Sequence, residues 1–202
     1  MSGVQIIRGR GVAVLRSDVD TDQIIPAAWL KKVERTGFGT GLFEAWRKDP
    51  EFALNQAGAD QARVLVSGPN FGCGSSREHA VWALQDYGFQ AVVAPSFADI
   101  FRGNAVSSGL VPAQVTEEAG ARIGDALTAA PDAEVVVDVA ARTVSVGAVT
   151  EPFQLADYAQ WRLLEGLDDV GLTLRHEDAI VAYEGQRSEY LPSVTESARA
   201  AG

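Results

Sequence analysis

The sequence predicts an α/β fold. Short β-branched runs alternate with segments of helical periodicity, and glycine and proline punctuate the boundaries between them. The chain has 202 residues, 47% of them hydrophobic, enough for one substantial core.

Strands are expected at Gly11–Leu15 (GVAVL), Arg63–Ser67 (RVLVS), Gln90–Ala94 (QAVVA), Glu134–Val139 (EVVVDV) and Thr143–Val149 (TVSVGAV). The last two flank Ala140-Ala141-Arg142, which predicts a hairpin. Helical patterns fall at Leu42–Arg47, Glu78–Tyr87, Phe97–Ser107, Glu117–Ala126 and Leu155–Leu164, with Gly88 standing where a C-terminal cap belongs. From Ala27 to Ala62 the chain sets Lys31, Lys32, Arg35, Arg47 and Lys48 among aromatics and the hinge glycines Gly37, Gly39 and Gly41. Such long loops are uncommon in a compact domain unless they bind something, and a solvated connector is the alternative. The segment is expected to be mobile in an isolated chain. One domain is expected over residues 1–185, with 27–62 as a substrate-specificity region. The small, polar stretch 186–202 reads as a disordered tail.

The formal net charge is −10, which disfavours non-specific nucleic-acid binding and adhesion to anionic membranes. No apolar run approaches the ~20 residues that span a bilayer. The N-terminal MSGVQIIRGRG lacks the pattern of a secretory signal, so a cytoplasmic location is expected. The single cysteine, Cys73, excludes an internal disulfide and cannot by itself hold an iron–sulfur cluster. The two histidines, His79 and His176, are far apart, and no CxxC spacing occurs, so no metal site is expected.

The chemistry gathers in GPNFGCGSSREHA, Gly68–Ala80. Gly68-Pro69 ends a strand, Asn70–Gly74 makes a glycine-rich turn, and Ser75-Ser76-Arg77-Glu78 opens a helix. Such a turn offers backbone N–H groups and a positive helix end to an anion. Arg77 adds a bidentate fork for a carboxylate. A serine in that field is a candidate general base. The competing reading makes Ser75 a helix cap, since Ser75 and Glu78 have the spacing of a capping box. G-x-S-x-G, the Walker phosphate loop and the full dinucleotide fingerprint are all absent. Cys73 reads as a small packing residue in preference to a reactive thiol. His79 reads as packing, and His176, beside Glu177 and Asp178, as a surface residue.

Together with SFADIFRGNAVSSGLVP (Ser96–Pro112), DVDTDQIIP (Asp18–Pro26), ERTGFGTGLFEAWR (Glu34–Arg47) and LLEGLDDVGLTL (Leu163–Leu174), this stretch resembles the small subunits of bacterial 3-isopropylmalate dehydratase, relatives of the C-terminal swivelling domain of aconitase. The long insertion between Pro26 and Arg63 resembles the bacterial two-subunit type more than the shorter archaeal one. The resemblance implies a swivelling β/β/α domain with a mixed sheet or half-barrel. It implies a hydro-lyase of leucine biosynthesis that interconverts 2- and 3-isopropylmalate, active only with a large subunit whose cysteines hold a 4Fe–4S cluster. This chain then binds no cofactor of its own. Ser75 matches the family's catalytic base. Ser76 and Arg77 match residues that contact a substrate carboxylate, Asp22 an aspartate near the active site, and Arg35 a carboxylate-binding arginine. Phe97 and Asn104 match structural positions, and Cys73 is not a cluster ligand. The 27–47 loop would lie over the substrate's variable group. The resemblance leaves open a related hydro-lyase acting on homoaconitate, citraconate or dimethylmalate. A non-catalytic carboxylate-binding module, or a subunit that only stabilises its partner, also remains open.

Overall fold

Residues that alternate along the central strands face two different cores in a computed structural model of the chain, which describes residues 3–32 and 36–187. Strands β1 (Ile6–Val14), β2 (Ala62–Ser67), β3 (Ala91–Ala94), β4 (Val111–Gln114), β5 (Glu134–Asp138), β6 (Thr143–Val146) and β7 (Val149–Pro152) form one sheet in the order β4-β3-β2-β1-β5-β6-β7. The β1 to β4 half is parallel and the β1-β5-β6-β7 half is antiparallel. The helices are α1 (Thr21–Ile24), α2 (Glu78–Tyr87), α3 (Asp99–Ser108), α4 (Glu117–Ala129), α5 (Asp157–Glu165), α6 (Asp169–Leu174) and α7 (Glu177–Gly185).

Val64 and Val66 of β2, with Ala91 and Val93 of β3, point into one core with Val135, Val137 and Val144. Ile123 and Leu127 of α4 fill that core, and α4 packs across β1, β2, β3, β6 and β7. Leu65 and Val92 point the opposite way, into a core shared with α2, α3 and the segment after α1. The sheet curls far enough for Gln154, just past β7, to donate its N–H to Gln114 O of β4 at 2.6 Å.

The chain divides into two compact units, Met1–Asp168 and Asp169–Gly202. The described part of the second consists of α6 and α7, with His176 exposed at the start of α7. Of the expected tail, only Gln186 and Arg187 lie within the described residues. Among the described residues no helix is long and apolar enough to cross a membrane.

Two expectations and one alternative reading need correction. TVSVGAV is two strands, because Gly147, at φ 56°, turns the chain between β6 and β7. Leu42–Arg47 is not an α-helix. Phe43 adopts φ 48°, which breaks the helical path, and only a short 3₁₀ turn follows at Trp46–Lys48. Nor do residues 36–61 have the look of a loose connector. They run through successive 3₁₀ turns that bury Phe38, Leu42, Phe43, Phe52 and Leu54. Trp46 stacks on Phe43 with ring centroids 5.0 Å apart, and the Arg16 guanidinium lies 4.4 Å from the Trp46 ring. Packing of this kind opposes the mobility expected for the isolated chain.

Because Phe43 is fully buried, Phe43→Ala should cost about 3–5 kcal/mol of stability. Urea unfolding measures it, and a loss below about 1 kcal/mol would mean that the segment is not part of the core.

Candidate active site

The glycine turn after β2 is clamped between two other segments. On one side lies the stretch leading into α1. Asp18 N donates to Pro69 O at 2.9 Å, Gly72 N to Val19 O at 2.8 Å, and Thr21 N to Cys73 O at 2.8 Å. Asn70 Nδ2 adds a bond to Asp18 Oδ1 at 2.7 Å. On the other side, Phe71 N donates to Ser96 O and Ala98 N to Phe71 O, each at 3.0 Å. The turn needs its glycines. Gly72 and Gly74 sit at φ 76° and 89°, and a Cβ on Gly74 would fall 2.1 Å from Asp20 Oδ2.

Asp20 also anchors α1 through a capping box. Its carboxylate accepts from Asp22 N at 2.6 Å, and its own N–H donates to Gln23 Oε1 at 2.9 Å. The sequence carries that signal as Asp20-x-x-Gln23, and α1 was not among the expected helices. The capping box expected at Ser75 and Glu78 does not form. α2 begins at Glu78 with Arg77 as its N-cap, so Ser75 lies outside the helix, and α2 has no side-chain cap. The cap reading of Ser75 is thereby removed. Ser75 is exposed, and its hydroxyl has no hydrogen bond among the described residues.

Ser75, Ser76 and Arg77 line a cavity of about 300 Å³ together with Thr21, Gly72, Gly74 and the start of α3, Ala98–Phe101. α3 likewise starts without a side-chain cap. Two uncapped helix starts therefore border one small cavity, where free backbone N–H groups favour an anion. The part played by the start of α3 was not foreseen. Asp22 does not line this cavity but forms an ion pair with Arg77, in which the arginine is the more buried partner, 16% against 51% exposed. Arg35 lies outside the described residues. Phe97 stacks on Phe101 and meets Phe71 edge-on, a packing role. His79 packs between Phe38 and Trp82, with ring centroids 5.4 and 4.7 Å away. A larger cavity of about 840 Å³ borders Asp99 from the far side, and its Arg102 and Arg142 are held by Asp99 and Asp157.

Cys73 is a free thiol. Burial, followed by the charges of Asp20 and Asp18, pushes it above the usual thiol range. It is the one cysteine of the chain, fewer than the several thiolates that an iron–sulfur cluster uses. Among the described residues no group of three or more His, Cys, Asp or Glu is arranged to hold a metal ion.

Comparison with known proteins agrees with this architecture. Residues 1–118 match the family described as the aconitase C-terminal domain, and the fold and the glycine turn define a domain of that class. Residues 169–192 match a second family, the C-terminal domain of the 3-isopropylmalate dehydratase small subunit. A 3-isopropylmalate dehydratase small subunit from Frankia alni is 56% identical over 193 residues, covering 96% of this chain and 99% of that protein. One from a Nocardioides strain is 56% identical over 189 residues, covering 92% and 94%. The crystal structure of a 3-isopropylmalate dehydratase from Methanocaldococcus jannaschii superposes with a TM-score of 0.67 at 28% identity, over 89% of this chain and 99% of the other. The chain belongs to the family of 3-isopropylmalate dehydratase small subunits.

A raised thiol pKa means that native Cys73 keeps a proton that the unfolded chain gives up first. Any stability this adds is present below the ordinary thiol value of ~8.5 and is lost as pH rises past the native one. At pH 8, iodoacetamide should alkylate the native chain more slowly than the urea-unfolded chain. Equal rates would contradict the shift.

Proposed function

We propose that this chain supplies the base and a carboxylate grip for the interconversion of 2- and 3-isopropylmalate, as the small subunit of a two-chain hydro-lyase of leucine biosynthesis. The observation that carries the reading is the Ser75 hydroxyl, unbonded within the described residues and open to a cavity bordered by two uncapped helix starts. The helix-start N–H groups and the Arg77 guanidinium are the groups that would favour its alkoxide, the form that removes a proton from the carbon next to the departing hydroxyl.

Arg77 is paired with Asp22, and its remaining guanidinium N–H groups are the proposed grip on an incoming carboxylate. Ser76 and the free N–H groups of the α3 start add further donors on the same cavity. As the carbanion-like transition state forms, its charge meets dipoles that are already aligned, so little reorganisation is needed. Water then returns at the neighbouring carbon.

Loss of the hydroxyl needs an electrophile, which this reading assigns to the partner. A 4Fe–4S cluster in the large partner subunit would supply that Lewis-acid chemistry. Discrimination by substrate side chain is assigned to the 27–62 segment, with Arg35 as a further carboxylate contact. A hydrophobic pocket distinguishes only ~1–3 kcal/mol per methylene, so exclusion of a competing charge carries the rest. The extent of the functional domain, 1–185, and a cytoplasmic location belong to the same proposal.

In the reconstituted two-chain enzyme, Ser75→Ala should lower kcat by roughly 10²–10⁴-fold with assembly intact. Near-normal turnover would remove Ser75 from the chemistry. Arg77→Lys should raise KM roughly tenfold or more, because an ammonium cannot reproduce the fork. An unchanged KM would refute that role.

A further inference from the structure

We infer that Thr21 is a positioning residue for Ser75, acting through the Ser75 main chain and not on the substrate. The inference rests on the reading of Ser75 as the base.

Ser75 occupies an irregular stretch, one residue past the left-handed Gly74 and before the first turn of α2. No regular ladder holds its peptide plane. One hydrogen bond does so among the described residues: Thr21 Oγ1 donates to Ser75 O at 2.9 Å. Thr21 is only 2% exposed, so its hydroxyl, shielded from solvent, is committed to this one acceptor.

Thr21 is itself fixed from three directions. Its N–H donates to Cys73 O at 2.8 Å, and its carbonyl accepts from Ile25 N at 2.9 Å. The neighbouring Asp20 is locked by its exchange with Asp22 and Gln23. The hydroxyl is therefore a rigid post, set from a segment 54 residues away in sequence, against which the Ser75 carbonyl rests. A carbonyl released from that donor lets the Ser75 backbone shift, and a shift of its Cα carries Oγ with it relative to the substrate carbon. A misplacement of about 1 Å can cost on the order of 10²-fold in rate. A Ser or Thr at the start of a short helix ordinarily serves its own backbone. Here the cap is Asp20, and the threonine side chain is directed across to the turn.

The test compares Thr21→Val, which keeps the shape and removes the donor, with Thr21→Ser, which restores it. Each is assayed in the complex with the large subunit, and Ser75→Ala is run in parallel. Thr21→Val is expected to lower kcat roughly 10–100-fold, with KM, affinity for the partner and thermal midpoint close to wild type. Thr21→Ser is expected to recover most of the loss. A wild-type kcat in Thr21→Val overturns the inference. So does a loss that tracks partner affinity or thermal midpoint and is not rescued by serine, since that pattern marks a purely structural role. If Ser75→Ala turns over normally, the base reading fails and the inference falls with it. If Ser75→Ala is inactive while Thr21→Val is normal, only the inference falls.

Discussion

The arrangement depends on main-chain hydrogen bonds between two segments that the sequence keeps far apart. The Asp18–Thr21 stretch runs beside the Pro69–Cys73 turn and exchanges N–H···O=C bonds with it at 2.8–3.2 Å. The far side of the turn is bonded to Ser96 and Ala98. A turn with two left-handed glycines is conformationally expensive, and alone it would sample many shapes. Bonded along both flanks, it has one shape, and the exposed serine beyond it inherits that order.

The sheet explains why these three segments meet. β1, β2 and β3 are parallel neighbours, so the residues following each of them emerge at the same end of the sheet. Asp18–Thr21 follows β1, the glycine turn follows β2, and Ser96–Ala98 follows β3. Ligands in open parallel sheets bind beyond the carboxyl ends of the strands for this reason. The antiparallel half, with α4 across it, contributes the apolar mass that holds the parallel half in place. The buried aromatics of residues 36–61 do the same from the opposite face.

Much of this was legible in the sequence, and what was missed has physical causes. α2 falls at Glu78–Tyr87 as expected, with Gly88 at its cap, because a helix bounded by a glycine announces both ends. The central strands were legible from β-branched runs that are buried on both faces. β4 was missed because VPAQ is short and contains proline, which an edge strand tolerates. The buried character of 36–61 was hidden by its charge. Its aromatics follow neither helical nor strand periodicity, since 3₁₀ turns place them one at a time. Ser75, Ser76, Arg77 and Asp22 are singled out by motif, and the structure sets the first three on one cavity with Asp22 paired to Arg77. The start of α3 and the contribution of Thr21 are not singled out, because both depend on which segments the sheet brings side by side, and spacing along the chain does not report that.

The bond from Gln154 to Gln114 has a consequence for how this chain meets another protein. Open sheets end in two rows of unpaired peptide groups, ready to accept a strand from elsewhere. Curling brings the first and last strands of this sheet together at one end, so there the molecule blunts its own rims. Recognition at that end must then read side chains and shape, without extending the sheet.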